Sequence, residues 1–170
     1  MRSLVVFESA YGNTEAIARA IAEGLSRHGD AEACTTDAAD SARLVDIDLL
    51  VVGAPTHAWG LPRERTWASA KGANPLHGPL MRAWLRDLPI GVDRPSAAFS
   101  TRFDKPQILT GSASRGIARA LRRQGWSRAA SPISFVVTGT EGPLRSGEVE
   151  QALSWGEALG RAVKTRAART

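Results

Sequence analysis

The sequence is poor in the residues that make redox pairs and metal centres. It holds one cysteine, Cys34, which excludes an intrachain disulfide framework, a CxxC pair and a cysteine-rich metal site. The residue reads as a small buried hydrophobe on a strand. Three histidines, His28, His57 and His77, lack the spacing that puts two on one helix or strand face, so no structural zinc is expected. Long apolar runs are missing too. "IDLLVVGA" and "SFVV" fall far short of the roughly 20 residues that cross a bilayer, and the N-terminus lacks the charged-then-apolar build of a signal peptide. Acidic residues are fewer than basic ones, 17 Asp and Glu against 22 Lys and Arg, for a formal net charge of +5. That balance favours anionic ligands or acidic partners. Nucleic acid is disfavoured, because basic and aromatic residues do not interleave and no RNP motif or zinc-finger spacing occurs. With 43% hydrophobic residues, 170 residues can bury a full core, and one soluble, cytoplasmic domain over 1–170 is expected.

What the chain does have is alternation. Apolar runs at Leu4 to Glu8, Glu32 to Thr35, Leu49 to Gly53, Ser96 to Ser100 and Ile133 to Thr138 read as strands, mostly unalternating, as strands covered on both faces are. Helical patterns lie between them. Ile17, Ile21 and Leu25 recur every four residues ahead of Gly29, and a second helix is predicted from about Ser114 to Gln124, ahead of Gly125. A last helix is expected after Ser146 as N-cap, with Glu148 and Glu150 in its first turn, running towards Val163. Such alternation builds an α/β fold of three layers, a doubly wound parallel sheet with helices on both faces. Between Leu61 and Pro79 the chain is rich in Pro, Gly, Arg and Lys, and is expected to be a long connection beside the sheet. The basic "VKTRAART" reads as arginines near a helix C-terminus.

Three loops carry the chemistry. "SAYGNT", Ser9 to Thr14, links the first strand to the first helix, where the earliest backbone N–H groups have no helical partner. Gly12 permits close backbone approach, Ser9 and Thr14 offer hydroxyls, and the helix dipole favours an anion. It is neither a Walker loop nor a GxGxxG fingerprint. With no lysine or arginine inside it, the loop suits a retained phosphate monoester better than a phosphoryl group in transfer. "GAPTHAWGLP" follows the central strand and offers Trp59 as a flat stacking face, with Thr56 and His57 nearby. "FSTRFDKP" follows the next strand and would close the same crevice, since strand-end loops meet where the strand order switches. A serine-hydrolase elbow needs GxSxG, which "TGSASRG" does not supply, so Ser112 is read as a helix N-cap.

With these loops in view, the chain resembles the flavodoxin family of FMN proteins. "SAYGNT" is similar to that family's phosphate loop, Ser/Thr-x-Thr-Gly-x-Thr, and "GAPTHAWG" to the loop along one face of the isoalloxazine ring. The resemblance covers nearly the whole chain in strand–helix order. It implies a five-stranded sheet in the order 2-1-3-4-5, with FMN where the first and third strands diverge, as in flavodoxin. It implies that Ser9, Tyr11, Gly12, Asn13 and Thr14, with the backbone of Ala10, bind the phosphate. Pro55, Thr56, His57, Ala58, Trp59 and Gly60 would line the ring, Trp59 by stacking and the Trp59–Gly60 peptide by facing N5. Ser100, Thr101, Arg102 and Phe103 would meet the pyrimidine end.

The chain also departs from the family. Electron-carrying flavodoxins usually place a tyrosine followed by acidic residues in the third loop and carry negative surfaces, whereas here the loop reads "STRFD". A cation at Arg102 near N1 and the C2 oxygen would stabilise an anionic reduced flavin and raise its potential. The expected function is FMN-dependent redox chemistry, as an electron carrier or a small flavin-dependent oxidoreductase, with quinone or protoporphyrinogen chemistry among the options and His57 as a candidate proton donor. Its partners would be FMN and a redox protein or small-molecule acceptor, with the segment Arg63 to Arg86 available to an acidic partner; a homodimer is left open. The alternative is a flavodoxin-like domain without flavin, acting as a binding or regulatory module.

Overall fold

In the computed structural model, residues 1–56, 60–62, 64, 67, 72–74, 78–104 and 111–169 are described. The elements in chain order are β1 (Arg2–Phe7), α1 (Asn13–Ser26), β2 (Asp30–Thr35), α2 (Ser41–Val45), β3 (Leu49–Pro55) and α3 (Met81–Arg86). They continue as β4 (Pro95–Phe103), α4 (Ala113–Arg123), β5 (Ser127–Arg128), β6 (Ile133–Val137) and α5 (Glu148–Ala167). All strands pair in parallel, in the order β2-β1-β3-β4, with β5 and β6 both on β4. The fifth position of the 2-1-3-4-5 sheet is thus filled by two pieces. Ser96 pairs with Arg128 and Phe99 with Ile133, so three steps along β4 correspond to five along its partner.

Two cores flank this sheet. On one face Ile17, Ile21 and Leu25 of α1 pack with Leu159 and Val163 of α5 against Val5, Phe7, Val51 and Phe99. On the other, Met81, Trp84 and Leu85 of α3 and Ile117 and Leu121 of α4 pack against Val6, Val52 and Ala98. Each fully buried Ile or Leu of α1 contributes roughly 2 kcal/mol, which outweighs the weak intrinsic stability of a helix of this length. Helices α1 and α5 touch at backbone distance: a Cβ on Gly156 would lie 2.3 Å from the Ile21 carbonyl oxygen. Within the sheet, the Phe99 ring covers Gly53.

Several expectations need correction. β4 continues through Phe103, so Thr101, Arg102 and Phe103, where the sequence reads as a loop, are strand residues; all three pair with β6, and Thr101 pairs with β3 as well. Pairing with β6 holds these residues extended despite their composition. α5 is preceded by Gly147 in a left-handed conformation with no side-chain cap, in place of Ser146, and runs past Val163 to Ala167. Helices α2 and α3 and strand β5 have no counterpart in the sequence reading.

Candidate functional site

β1 delivers Glu8 to the C-terminal edge of the sheet, and the chain turns through Ser9–Gly12 before α1 starts. Gly12 holds φ +82°, a conformation L side chains rarely adopt, and no described residue lies within 4 Å of where its Cβ would sit. No side chain caps α1. The Glu15 N–H donates to Ser9 Oγ at 3.3 Å and the Ala16 N–H to the Gly12 carbonyl at 2.9 Å. The N–H groups of Ala10, Gly12, Asn13 and Thr14 have no acceptor among the described residues. Unanswered donors at the positive end of a 14-residue helix are groups that can hold an anion.

The loop is braced from three sides. The Asn74 N–H donates to the Ala10 carbonyl at 2.6 Å, which ties residue 74 to the loop. Asn13 Nδ2 donates to the Glu141 carbonyl at 3.0 Å, and a Cβ on Gly142 would lie 2.6 Å from Asn13 Oδ1. Buried Thr14 and Thr101 share a hydroxyl hydrogen bond of 2.8 Å. One of the two donates; the other keeps its proton for a further partner.

The ends of β3 and β4 converge on the same place. The Thr56 N–H donates to the Thr101 carbonyl at 2.8 Å, and Thr56 Oγ1 accepts from the Ala113 N–H, at the start of α4, at 3.2 Å. Side chains alternate across β4. Thr101 faces α1, whereas Ser100 is fully buried on the α4 side with its hydroxyl 3.0 Å from Ser134 Oγ, so its side chain does not reach the crevice. Arg102 lies half-buried at the strand end, Nη1 donating to the Phe103 carbonyl at 3.1 Å, and Phe103 is exposed. Pro55 pairs with Thr101, and no described residue lies within 4 Å of where a Cβ on Gly60 would be. His57, Ala58 and Trp59 lie outside the described residues. The structure therefore gathers the Ser9–Thr14 loop, Thr56 and Thr101 into one network.

Glu8 is a residue the sequence reading passed over, although an acid closing an apolar strand was a visible signal. It is 4% exposed; Oε2 accepts from the Met81 N–H at 2.5 Å, and Oε1 has no partner among the described residues. Burial pushes its carboxyl up to about 7, with the Met81 hydrogen bond opposing. Cys34 is buried on β2, and burial pushes its thiol up to about 11, an inert side chain at neutral pH. Ser112 Oγ accepts from the Arg115 N–H at 3.4 Å, as an N-cap does. Among the described residues no three His, Cys, Asp or Glu come together, and no helix is long and apolar enough to cross a membrane.

Residues 4–67, which contain the first two loops, match the family described as "Flavodoxin domain". A flavodoxin from the domain Archaea is similar at 19% identity, with 96% of this chain and 99% of that one covered and a TM-score of 0.68. The fold is flavodoxin-like. The two-electron reduced flavodoxin of Megasphaera elsdenii is similar at 18% identity, covering 94% and 98%, with a TM-score of 0.62. The flavodiiron protein from Giardia intestinalis is similar at 20% identity over 99% of this chain but 37% of its own length, TM-score 0.67, so the same fold also serves as part of a larger protein. At these identities the flavodoxin-like architecture is what is shared.

Proposed function

We propose that this flavodoxin-like chain binds FMN at the Ser9–Thr14 loop and serves electron transfer, as a carrier or a small flavin-dependent reductase. One observation carries the reading: four backbone N–H groups without acceptors among the described residues surround an open, left-handed Gly12 at the start of α1. That donor set fits a phosphate monoester, because it offers hydrogen bonds and a helix dipole without a cation. Ser9 and the free proton of the Thr14–Thr101 pair add hydroxyl donors. Bound FMN would supply the redox chemistry, which no side chain here replaces. Thr56 ties the loop after β3 to β4 and α4, and Gly60 leaves room for the ring. Arg102 brings a fixed positive charge to the pyrimidine end assigned to it by the family pattern, favouring an anionic reduced ring.

The test is a visible absorption spectrum of freshly purified protein, followed by titration of the apoprotein with FMN while flavin fluorescence is recorded. Yellow colour or saturable quenching supports the reading. Colourless protein that leaves FMN fluorescence unchanged sinks it and favours a flavin-free binding module. Potentiometry and an NAD(P)H oxidation assay then separate carrier from reductase.

A further inference from the structure

Helix α4 carries charge that the chain itself does not answer. Arg115, Arg119, Arg122 and Arg123 are exposed, and none forms an ion pair among the described residues, which include every Asp and Glu of the sequence. Opposite them α3 exposes Arg82 and Arg86; Arg86 meets Asp87 at 3.2 Å, a solvent-screened pair worth little. With Arg128 of β5, these make seven arginines on one side of the molecule. Without them the formal charge of +5 would be −2, so the basic character of the protein is local.

Between α3 and α4 runs a groove of about 470 Å³. Arg82 and Arg86 stand along one wall and Arg119 and Arg123 along the other, over apolar Leu61, Leu85 and Ala120. Gly60, in the loop assigned to the flavin ring, is part of its lining. Gly116 also lines it. A glycine inside a helix costs about 1 kcal/mol relative to alanine. Yet Gly116 has no positive φ, and a Cβ there would meet nothing within 4 Å among the described residues. Neither its backbone nor its packing against the described residues calls for glycine; what it leaves is room in the groove.

We propose that this groove docks an acidic electron-carrier protein, whose carboxylates meet the four arginines and whose edge enters beside Gly116, placing it against Gly60 and Leu61. The inference rests on the FMN reading for its purpose. The apolar floor and the cleared space at Gly116 fit a protein edge better than the evenly charged backbone of a nucleic acid. The arginines continue around α4 into a second cavity of about 840 Å³, lined by Arg115, Arg119, Arg122 and Arg128, which widens the field that would steer such a partner.

The test uses the full chain and, as probe, an oxidised plant-type 2Fe–2S ferredoxin, an acidic carrier, with binding followed by calorimetry at rising salt. Expected are binding at about 20 mM salt and a loss of about tenfold or more by about 300 mM. The double variant Arg119→Glu, Arg123→Glu should weaken binding by at least about tenfold. Gly116→Trp should weaken it without changing charge. Lys164→Glu with Arg169→Glu, the same charge change on and beyond α5, should leave it nearly intact; circular dichroism melts establish that each variant folds. No binding at low salt, equal losses in the α4 and control pairs, or tighter binding of a single-stranded oligonucleotide lost in the same variants would each overturn the proposal. The binding measurement needs no flavin, and absorbance of the same samples reports FMN separately, so failure of docking and failure of the FMN reading are distinguishable.

Discussion

Replacing Glu8 by glutamine tests the physics of the crevice floor. The carboxyl is 4% exposed, with one oxygen held by the Met81 N–H and the other without a partner, and burial raises its pKa from 4.5 to about 7. Between those values the unfolded chain has released this proton while the folded chain still holds it. The folded state then binds more protons, so its stability falls as pH rises from about 4.5 to about 7 and levels off above. The interval converts to about 3 kcal/mol. A glutamine in its place would keep a carbonyl acceptor for the Met81 N–H and cannot ionise. Urea unfolding at a series of pH values should therefore show Glu8→Gln gaining about 3 kcal/mol on the wild type between about pH 4 and pH 8, with a constant difference below about pH 4. Parallel stability curves across that range would refute the buried-acid account, as would a variant that loses ground as pH rises.

Other consequences are open to measurement. Gly12→Val forces a β-branched residue to φ +82°, at about 1–2 kcal/mol of strain, and should weaken FMN binding by about tenfold or more in a fluorescence titration. Unchanged affinity would count against the loop as phosphate seat. Glu148 is 2% exposed and accepts from the Val136 N–H at 3.0 Å and from Arg145 at 2.7 Å, so Glu148→Ala should cost about 3 kcal/mol in chemical denaturation. Arg145→Ala, which leaves the Val136 bond in place, should cost less. Arg102→Gln removes the cation assigned to the pyrimidine end and should lower the midpoint potential of bound FMN, by dye-coupled potentiometry, on the order of tens of millivolts.

Much of the scaffold was legible because its signals are local. The four-residue recurrence of Ile17, Ile21 and Leu25 reports one helix face, and the unbroken apolar run of β3 reports a strand covered on both sides; both elements stand where the pattern put them. Ser112 likewise caps α4 as expected. Illegible were features decided by distant partners. Thr101 to Phe103 look like loop residues, but they pair with Pro55 on one side and Phe135 to Val137 on the other. Helix α3 has only six residues in a Pro- and Arg-rich context; its first N–H is held by Glu8, 73 positions away, and Trp84 Nε1 donates to the Ala39 carbonyl. The turn from β1 into α1 at the first loop was readable from its own residues. Its braces, the Asn74 N–H and the Glu141 carbonyl, come from segments with no motif of their own.

The split fifth strand bears on how the protein behaves at high concentration. The outer edge of a parallel sheet is a row of unpaired donors and acceptors, on which a second molecule can extend the ladder. Here the β5–β6 edge carries two spare residues between Arg128 and Ile133, in a stretch that includes exposed Ser131 and, next to it, Pro132, which has no N–H to donate. A neighbouring strand cannot run in register past that step. Deleting two residues to make the fifth strand continuous would leave its own pairing to β4 intact and hand the "SFVV" segment an unbroken flank, turning an irregularity of the fold into an aggregation hazard.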